Sequence, residues 1–288
     1  MIPIGPIFQS MRPRQWTKNA FVFAPLIFGQ KLSDFQTLLS SIGAFLAFCL
    51  AAGAVYLFND IRDVESDRLH PAKKQRPIAA GDLGVGTARG AGILFAAAAL
   101  LLGGTIHIKI AGVLLLYLFL NFIYTVILKH EVILDVLLVA VGYLFRIVAG
   151  GLAVGVEISG YLWLCTLLLA ILLALGKRRH ELVVLEDAAN HRQILDEYSP
   201  ELLESMMSVM TASILVCYAL YTQEAVGGEK NLKWTIPFVI YGIFRYLYLI
   251  HKKDMGGDPA EILFDDWRMT LNVILWALVA VFFVYFAG

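Results

Sequence analysis

Charge is scarce in this sequence. Only 16% of its 288 residues are Asp, Glu, Lys or Arg, while 59% are hydrophobic. An ordinary soluble domain carries about 25% charged residues, so a packed core alone does not account for this much apolar surface. Lys and Arg together number 23, as do Asp and Glu, which leaves no net charge to attract a nucleic acid. The three cysteines, Cys49, Cys165 and Cys217, lie in separate apolar stretches without metal-ligand spacing, and their odd count gives no disulfide framework. No Gly-rich nucleotide loop, haem motif or Ser–His–acid arrangement stands out. The first apolar stretch is followed by no small-residue cleavage site, and no low-complexity linker divides the chain.

What the chain has instead is long hydrophobic runs. Nine of them, 17–32, 36–59, 84–104, 109–128, 132–153, 160–177, 203–222, 233–251 and 267–286, approach the roughly 20 residues that cross about 30 Å of hydrocarbon. In lipid each backbone N–H and C=O must be paired within the chain. The runs therefore predict an all-α polytopic membrane bundle of nine transmembrane helices, a single integral-membrane domain over 1–288. The first run is short and contains Pro25, so a tilt, a kink or an incomplete crossing is expected there. Alternating the connections puts most Lys and Arg on the side of the N-terminus, while Lys31, Lys109, Lys230 and Lys233 fall opposite. The positive-inside rule then makes the N-terminus and the polar loops cytoplasmic, in a plasma or inner membrane.

The densest polar stretch is FNDIRDVESDRLHPAKKQRPIAAGD, residues 58–82. If the second helix continues through it, Asp60, Asp63 and Asp67 are spaced by three and four residues and share a face, with Asn59 one turn before Asp63. Three bare carboxylates repel one another, and a divalent cation reverses that balance. Oxygen donors suit Mg²⁺, above all when substrate phosphates complete its shell. Lys73 and Arg76 follow within a few residues and offer a point charge and a guanidinium fork to phosphate oxygens. The bland alternative is a solvated loop with internal ion pairs.

Other polar residues are less specific. In NFIYTVILKHEVILDV, Tyr124 and Lys129 reach the cytoplasmic edge and Asp135 opens the next run, where it pairs with Lys129 or assists a metal. Arg146 lies at membrane depth and needs an anionic ligand or a buried acid. In GKRRHEL, Lys177, Arg178 and Arg179 either grip phosphate or only set topology, and Glu181 stands one turn from Lys177. Arg14 and Lys18 sit one helical turn apart at the same edge. His180 and His191 have no convincing zinc partners.

Taken together, NDIRDVESDRLHPAKKQRP, YTVILKHEVILDV, RIVAG and KRRHEL resemble the UbiA-type membrane prenyltransferase superfamily. Within it, RPRQWTKNAFVFAPLIFG and the basic motif look most like the decaprenyl-phosphate phosphoribosyltransferases. The resemblance runs from about Arg12 to Arg268. It implies a nine-helix bundle with a cytoplasm-facing cavity and lateral access for a lipid. Asn59, Asp60, Asp63 and Asp67 would then serve Mg²⁺ and diphosphate, and Lys18, Lys73, Arg76, Lys129, Lys177, Arg178 and Arg179 the donor phosphates. Tyr124 and Lys129 match a feature associated with phosphoribosyl transfer. Aromatic prenyltransferases carry a second aspartate-rich motif where this chain has KRRHELVVLEDAANH.

That departure favours 5-phosphoribosyl 1-diphosphate as donor and decaprenyl phosphate or a related polyprenyl phosphate as acceptor. Two rivals remain at this point. One is an aromatic or other lipid prenyltransferase that uses a prenyl diphosphate, and the other is a transporter. Self-association in the bilayer stays open.

Overall fold

The computed structural model describes residues 3–71, 73–128, 131–184, 197–224, 231–253, 255 and 257–286, and all regular structure among them is helical. In chain order, α1 (Ile4–Ser10) is followed by a 3₁₀ stretch, Pro13–Phe23, and by α2 (Ala24–Phe28). Next come α3 (Phe35–Arg62), α4 (Val64–Leu69), α5 (Pro77–Ala80), α6 (Val85–Ile106), α7 (Ile108–Val126) and α8 (Leu134–Val154). The chain continues with α9 (Gly160–Val184), α10 (Pro200–Glu224), α11 (Ile236–Lys252), α12 (Pro259–Asp265) and α13 (Trp267–Tyr285).

Seven of these, α3, α6, α7, α8, α9, α10 and α13, are long and apolar enough to cross a membrane. Their outward faces carry large apolar side chains such as Leu101 (72% exposed), Ile108 (76%) and Leu278 (61%). In water each such residue would forgo about 1.5–3 kcal/mol of burial, whereas lipid accepts them without that cost. The protein is therefore a multi-helix membrane bundle.

Two expected spans take another form. The 17–32 run is 3₁₀ as far as Phe23 and α-helical only over Ala24–Phe28, with Pro25 in the first turn of that helix, where its missing N–H is tolerated. The 233–251 run opens with a 3₁₀ turn, Leu232–Thr235, and its α-helix starts at Ile236 with a proline in the first turn. The α-helical part has 17 residues.

The chain forms two compact units. The first comprises the residues up to Leu26, together with Lys31–Val126 and Phe145–Val156. Its core is built largely of small residues, with Ala44, Ala47 and Ala51 of α3 around Phe48, and Val22, Ala99, Leu114 and Ala149 beside them. Small side chains let helices approach closely, which is how membrane helices gain packing without a hydrophobic drive. Gly150 is the extreme case, because a Cβ there would land on the carbonyl oxygen of Val22.

The second unit comprises Ile27–Gln30, Ile127–Leu144 and the described residues from Glu157 onward. Leu172 and Leu175 of α9, Leu203 and Met207 of α10, and Ile243, Tyr246 and Leu249 of α11 form its core. Gly176 makes room there for the Tyr246 hydroxyl.

Candidate functional site

In the first unit, α3 begins at Asp34, whose side chain caps the Gln36 N–H at 3.0 Å. Its far end carries the acidic motif. The α-helix is interrupted at Asp63, yet the i→i−4 bonding persists, from Asp63 N to Asn59 O at 2.9 Å and from Asp67 N to Asp63 O at 2.8 Å. The helical register therefore survives the junction, and Asp60 and Asp67 face the same way. Arg76 Nη1 bridges them, 3.1 Å from Asp60 Oδ1 and 2.7 Å from Asp67 Oδ2.

Arg12 adds a second guanidinium, with Nη2 at 2.5 Å from Asp60 Oδ1. Its backbone is left-handed, φ 53°, and the guanidinium also lies over the Tyr56 ring, 4.7 Å from the centroid. Asp60 and Asp67 are 2% and 3% exposed; charges so buried require partners of this kind. Asn59 Oδ1 accepts the Thr125 hydroxyl at 2.7 Å. A cavity of about 190 Å³ opens beside them, lined by Gln9, Ser10, Arg12, Asp60, Gln75, Arg76 and Pro77.

Asp63 is half-buried at the helix junction, Lys73 is exposed on a 3₁₀ turn, Lys18 is half-buried on the 3₁₀ stretch, and Tyr124 is half-buried on α7. Arg146 is buried in the same unit. Its Nε donates to Asn19 Oδ1 at 2.8 Å, and it stacks against Phe48 and Tyr117, 5.4 and 5.2 Å from their centroids. Rings and an amide carbonyl thus join in accommodating its charge at membrane depth.

The second unit holds the other group. Asp135 (1% exposed) accepts the Tyr198 hydroxyl at 2.9 Å on Oδ1, while Oδ2 lies 3.5 Å from Arg178 Nε. The latter is a charge contact too long for an aligned hydrogen bond. Arg178 Nη1 reaches Glu181 Oε2 at 2.5 Å. Arg179 pairs with Glu204 at 2.9 Å and donates to Ile250 O at 3.3 Å. Lys177 is half-buried one position before Arg178.

Lys129, the expected partner of Tyr124, falls outside the described residues, as does His191. Arg12 and Tyr198 were not singled out as site residues by the sequence. Arg12 reads there as a topology-setting base, and nothing around Tyr198 marks it.

These features define a polytopic helical membrane protein with paired, buried carboxylates and guanidinium groups at one end of a long apolar helix. A family model described as the UbiA prenyltransferase family matches residues 21–264. The chain is 34% identical to the decaprenyl-phosphate phosphoribosyltransferase of Corynebacterium glutamicum, over 97% of this chain and 86% of that protein. It is 33% identical to the protein of the same name from Mycolicibacterium smegmatis, over 95% and 90%. A solved structure of a UbiA homolog from Archaeoglobus fulgidus bound to GPP and Mg²⁺ superposes with a TM-score of 0.75 at 19% identity, over 96% of this chain and 99% of that one. At that identity the likeness speaks for the fold alone. This chain belongs to the UbiA prenyltransferase family.

Proposed function

We propose that this protein transfers the 5-phosphoribosyl group of 5-phosphoribosyl 1-diphosphate to decaprenyl phosphate or a related polyprenyl phosphate, releasing diphosphate. The observation that carries the reading is the identity of 34% and 33%, over nearly the whole chain, to proteins named for phosphoribosyl transfer to decaprenyl phosphate. We further propose nine membrane crossings, a cytoplasmic N-terminus and a cytoplasm-facing reaction cavity.

The donors of the acidic group are all oxygens, the type that suits Mg²⁺. Among the described residues no three His, Cys, Asp or Glu side chains converge as a metal cage, so substrate phosphates would have to complete the shell. Mg²⁺ keeps several waters and takes one or two carboxylates plus substrate phosphates; Arg76 bridges Asp60 and Asp67, so the pair would take the ion as Arg76 turns from the carboxylates to the diphosphate. Those two residues would hold the ion, with Asn59 and Asp63 beside them. When bound, the ion supplies neutralisation of the leaving diphosphate.

The chain's own residues supply the rest. Arg76 and Lys73 bind diphosphate oxygens, and Lys18, Lys129, Lys177, Arg178 and Arg179 meet the donor's remaining phosphate charge. Asp135 and Arg146 orient these groups from α8, and Tyr124 borders the ribose. The C1–O bond breaks with its electron pair leaving on diphosphate, and an acceptor phosphate oxygen forms the new bond to C1. That oxygen is already anionic, so no general base is needed and fixed positive charge dominates the catalysis.

The test is mass spectrometry of product formed by the purified protein. It is offered 5-phosphoribosyl 1-diphosphate with polyprenyl phosphates, or a prenyl diphosphate with aromatic acceptors, each with and without Mg²⁺. The expected product is a phosphoribosyl polyprenyl phosphate that forms only with the metal. Exclusive use of prenyl diphosphate overturns the proposal in favour of prenyl transfer, and solute flux without covalent product overturns it in favour of transport.

A further inference from the structure

Ile133 is β-branched and sits in the left-handed backbone region, φ 69°. Its Cβ crowds its own backbone there, and such a conformation lasts only where the surroundings hold it. The Val136 and Leu137 N–H groups hold the Ile133 carbonyl, and the Tyr198 hydroxyl holds its N–H. The oxygen accepts the Ile133 N–H at 2.8 Å and donates its own proton to Asp135 Oδ1 at 2.9 Å. One phenol thus ties a strained backbone and a buried carboxylate, two residues apart, into one unit.

Asp135 Oδ2 then faces Arg178 Nε, and Glu181 takes Nη1 of the same guanidinium. Tyr198, Asp135 and Arg178 are 5%, 1% and 4% exposed, so water has little access to the contacts among these three. Burial, opposed by the Ile133 N–H and reinforced by the Asp135 carboxylate, pushes the Tyr198 phenol up to about 12. The hydroxyl therefore keeps its proton at working pH and remains a donor.

We propose that Tyr198 is a positioning residue for the transfer reaction: by fixing Asp135 and the Ile133 backbone together, it holds Arg178 and, with it, the Lys177–Arg179 turn in the orientation that receives the donor's phosphate. This rests on the reading above that the turn meets donor phosphate. Tyr198 acts through Asp135 and Arg178 and touches no reacting atom. Removing its hydroxyl takes a partner from the Ile133 N–H and from a buried carboxylate oxygen together, which frees both to move.

The experiment compares wild type, Tyr198→Phe, Asp135→Asn and the double variant, with KM for 5-phosphoribosyl 1-diphosphate and for the polyprenyl phosphate measured separately from kcat. Tyr198→Phe is expected to raise the donor KM about tenfold while the acceptor KM and kcat stay within about twofold. The double variant is expected to be no worse than the poorer single variant, because both act on one network. A donor KM within twofold of wild type, equal rises in both KM values, or multiplying effects in the double variant overturn the proposal. Should Tyr198→Phe fail to accumulate in the membrane, Asp135→Asn decides alone. It keeps the size and the acceptor for Tyr198 but removes the charge beside Arg178, and an unchanged donor KM there overturns the proposal. Wild type that transfers prenyl groups and no phosphoribosyl defeats the functional reading, and the same KM comparison then proceeds with the prenyl diphosphate.

Discussion

At the scale of single residues, the question is how α3 ends in carboxylates that are 2% and 3% exposed. Arg76 answers for both Asp60 and Asp67, and Arg12 for Asp60 alone. Breaking a fully buried pair costs about 3–5 kcal/mol, because the remaining charge is stranded. Arg76 is 26% exposed and Arg12 stays in place, so Arg76→Ala is expected to destabilise by only about 2 kcal/mol. The check is a lowered thermal midpoint in detergent, with part of the loss returned by Asp67→Asn in the same background. Arg76→Lys should recover part of the loss, since one nitrogen, Nη1, makes both contacts and an ammonium offers one nitrogen with three donors. An unchanged midpoint for Arg76→Ala would mean that the acids are stabilised some other way. Asp60, Asp67 and Arg76 were legible as a group because sequence spacing alone brings them near one another. Arg12 and Tyr198 were not, since their partners are 48 and 63 positions away, Asp60 for the first and Asp135 for the second. No local pattern encodes a contact of that reach.

At the scale of elements, the seven long helices were legible because lipid selects directly for length and hydropathy. Their close contacts were not, and Gly150 shows why. Nothing in RIVAGGLAVG distinguishes Gly150 from a glycine with open space around it, yet a methyl at Gly150 would meet Val22's backbone oxygen, which no rotamer change can move aside. Gly150→Ala is expected to cost at least about 1–3 kcal/mol. Gly90→Ala, with nothing within 4 Å of its added carbon, should stay within about 1 kcal/mol of wild type. Thermal unfolding of the two variants side by side checks this. The start of α13 carries a different dependence. Asp266 caps it through the Met269 N–H at 2.8 Å and takes Arg245 Nη2 at 2.6 Å, and the bonded guanidinium holds its carboxyl below the usual carboxylate range. The folded value lies below the unfolded one of about 3.9, so the contribution is present above that pH and is lost as pH falls through the lower folded value. Asp266→Asn keeps a good cap but removes the charge. Its thermal midpoint should lie below that of wild type at pH 7, and the difference should shrink toward pH 3; a constant difference would exclude the ion pair as its source.

At the scale of the whole molecule, the count of crossings turns on the segment from Pro13 to Phe28, which composition marked as too short. An α-helix of 16 residues would rise only about 24 Å. The 3₁₀ stretch of 11 residues gains about 2.0 Å per residue and α2 adds five residues at about 1.5 Å, which together give roughly 30 Å, the thickness of the hydrocarbon. The extra rise compensates for the missing residues. Arg12, just before this stretch, bonds to Asp60 near the end of α3, while Lys31 lies just before α3 begins. Two groups in contact share a side of the membrane, so a chain that crosses in α3 must also have crossed between Arg12 and Lys31. Single cysteines at the exposed positions Arg14, Lys31 and Lys74 test this in a background where Cys49, Cys165 and Cys217 are replaced. Under the proposed orientation, with the side richer in Lys and Arg in the cytoplasm, an impermeant maleimide added to intact cells is expected to label Lys31→Cys alone, with Arg14→Cys and Lys74→Cys becoming reactive only after permeabilisation. If Arg14→Cys were labelled together with Lys31→Cys, the first segment would not cross and the pairing of Arg12 with Asp60 could not exist in the membrane. Labelling of Arg14→Cys and Lys74→Cys from outside, with Lys31→Cys protected, would invert the orientation and put the carboxylates on the side away from a cytosolic phosphorylated sugar.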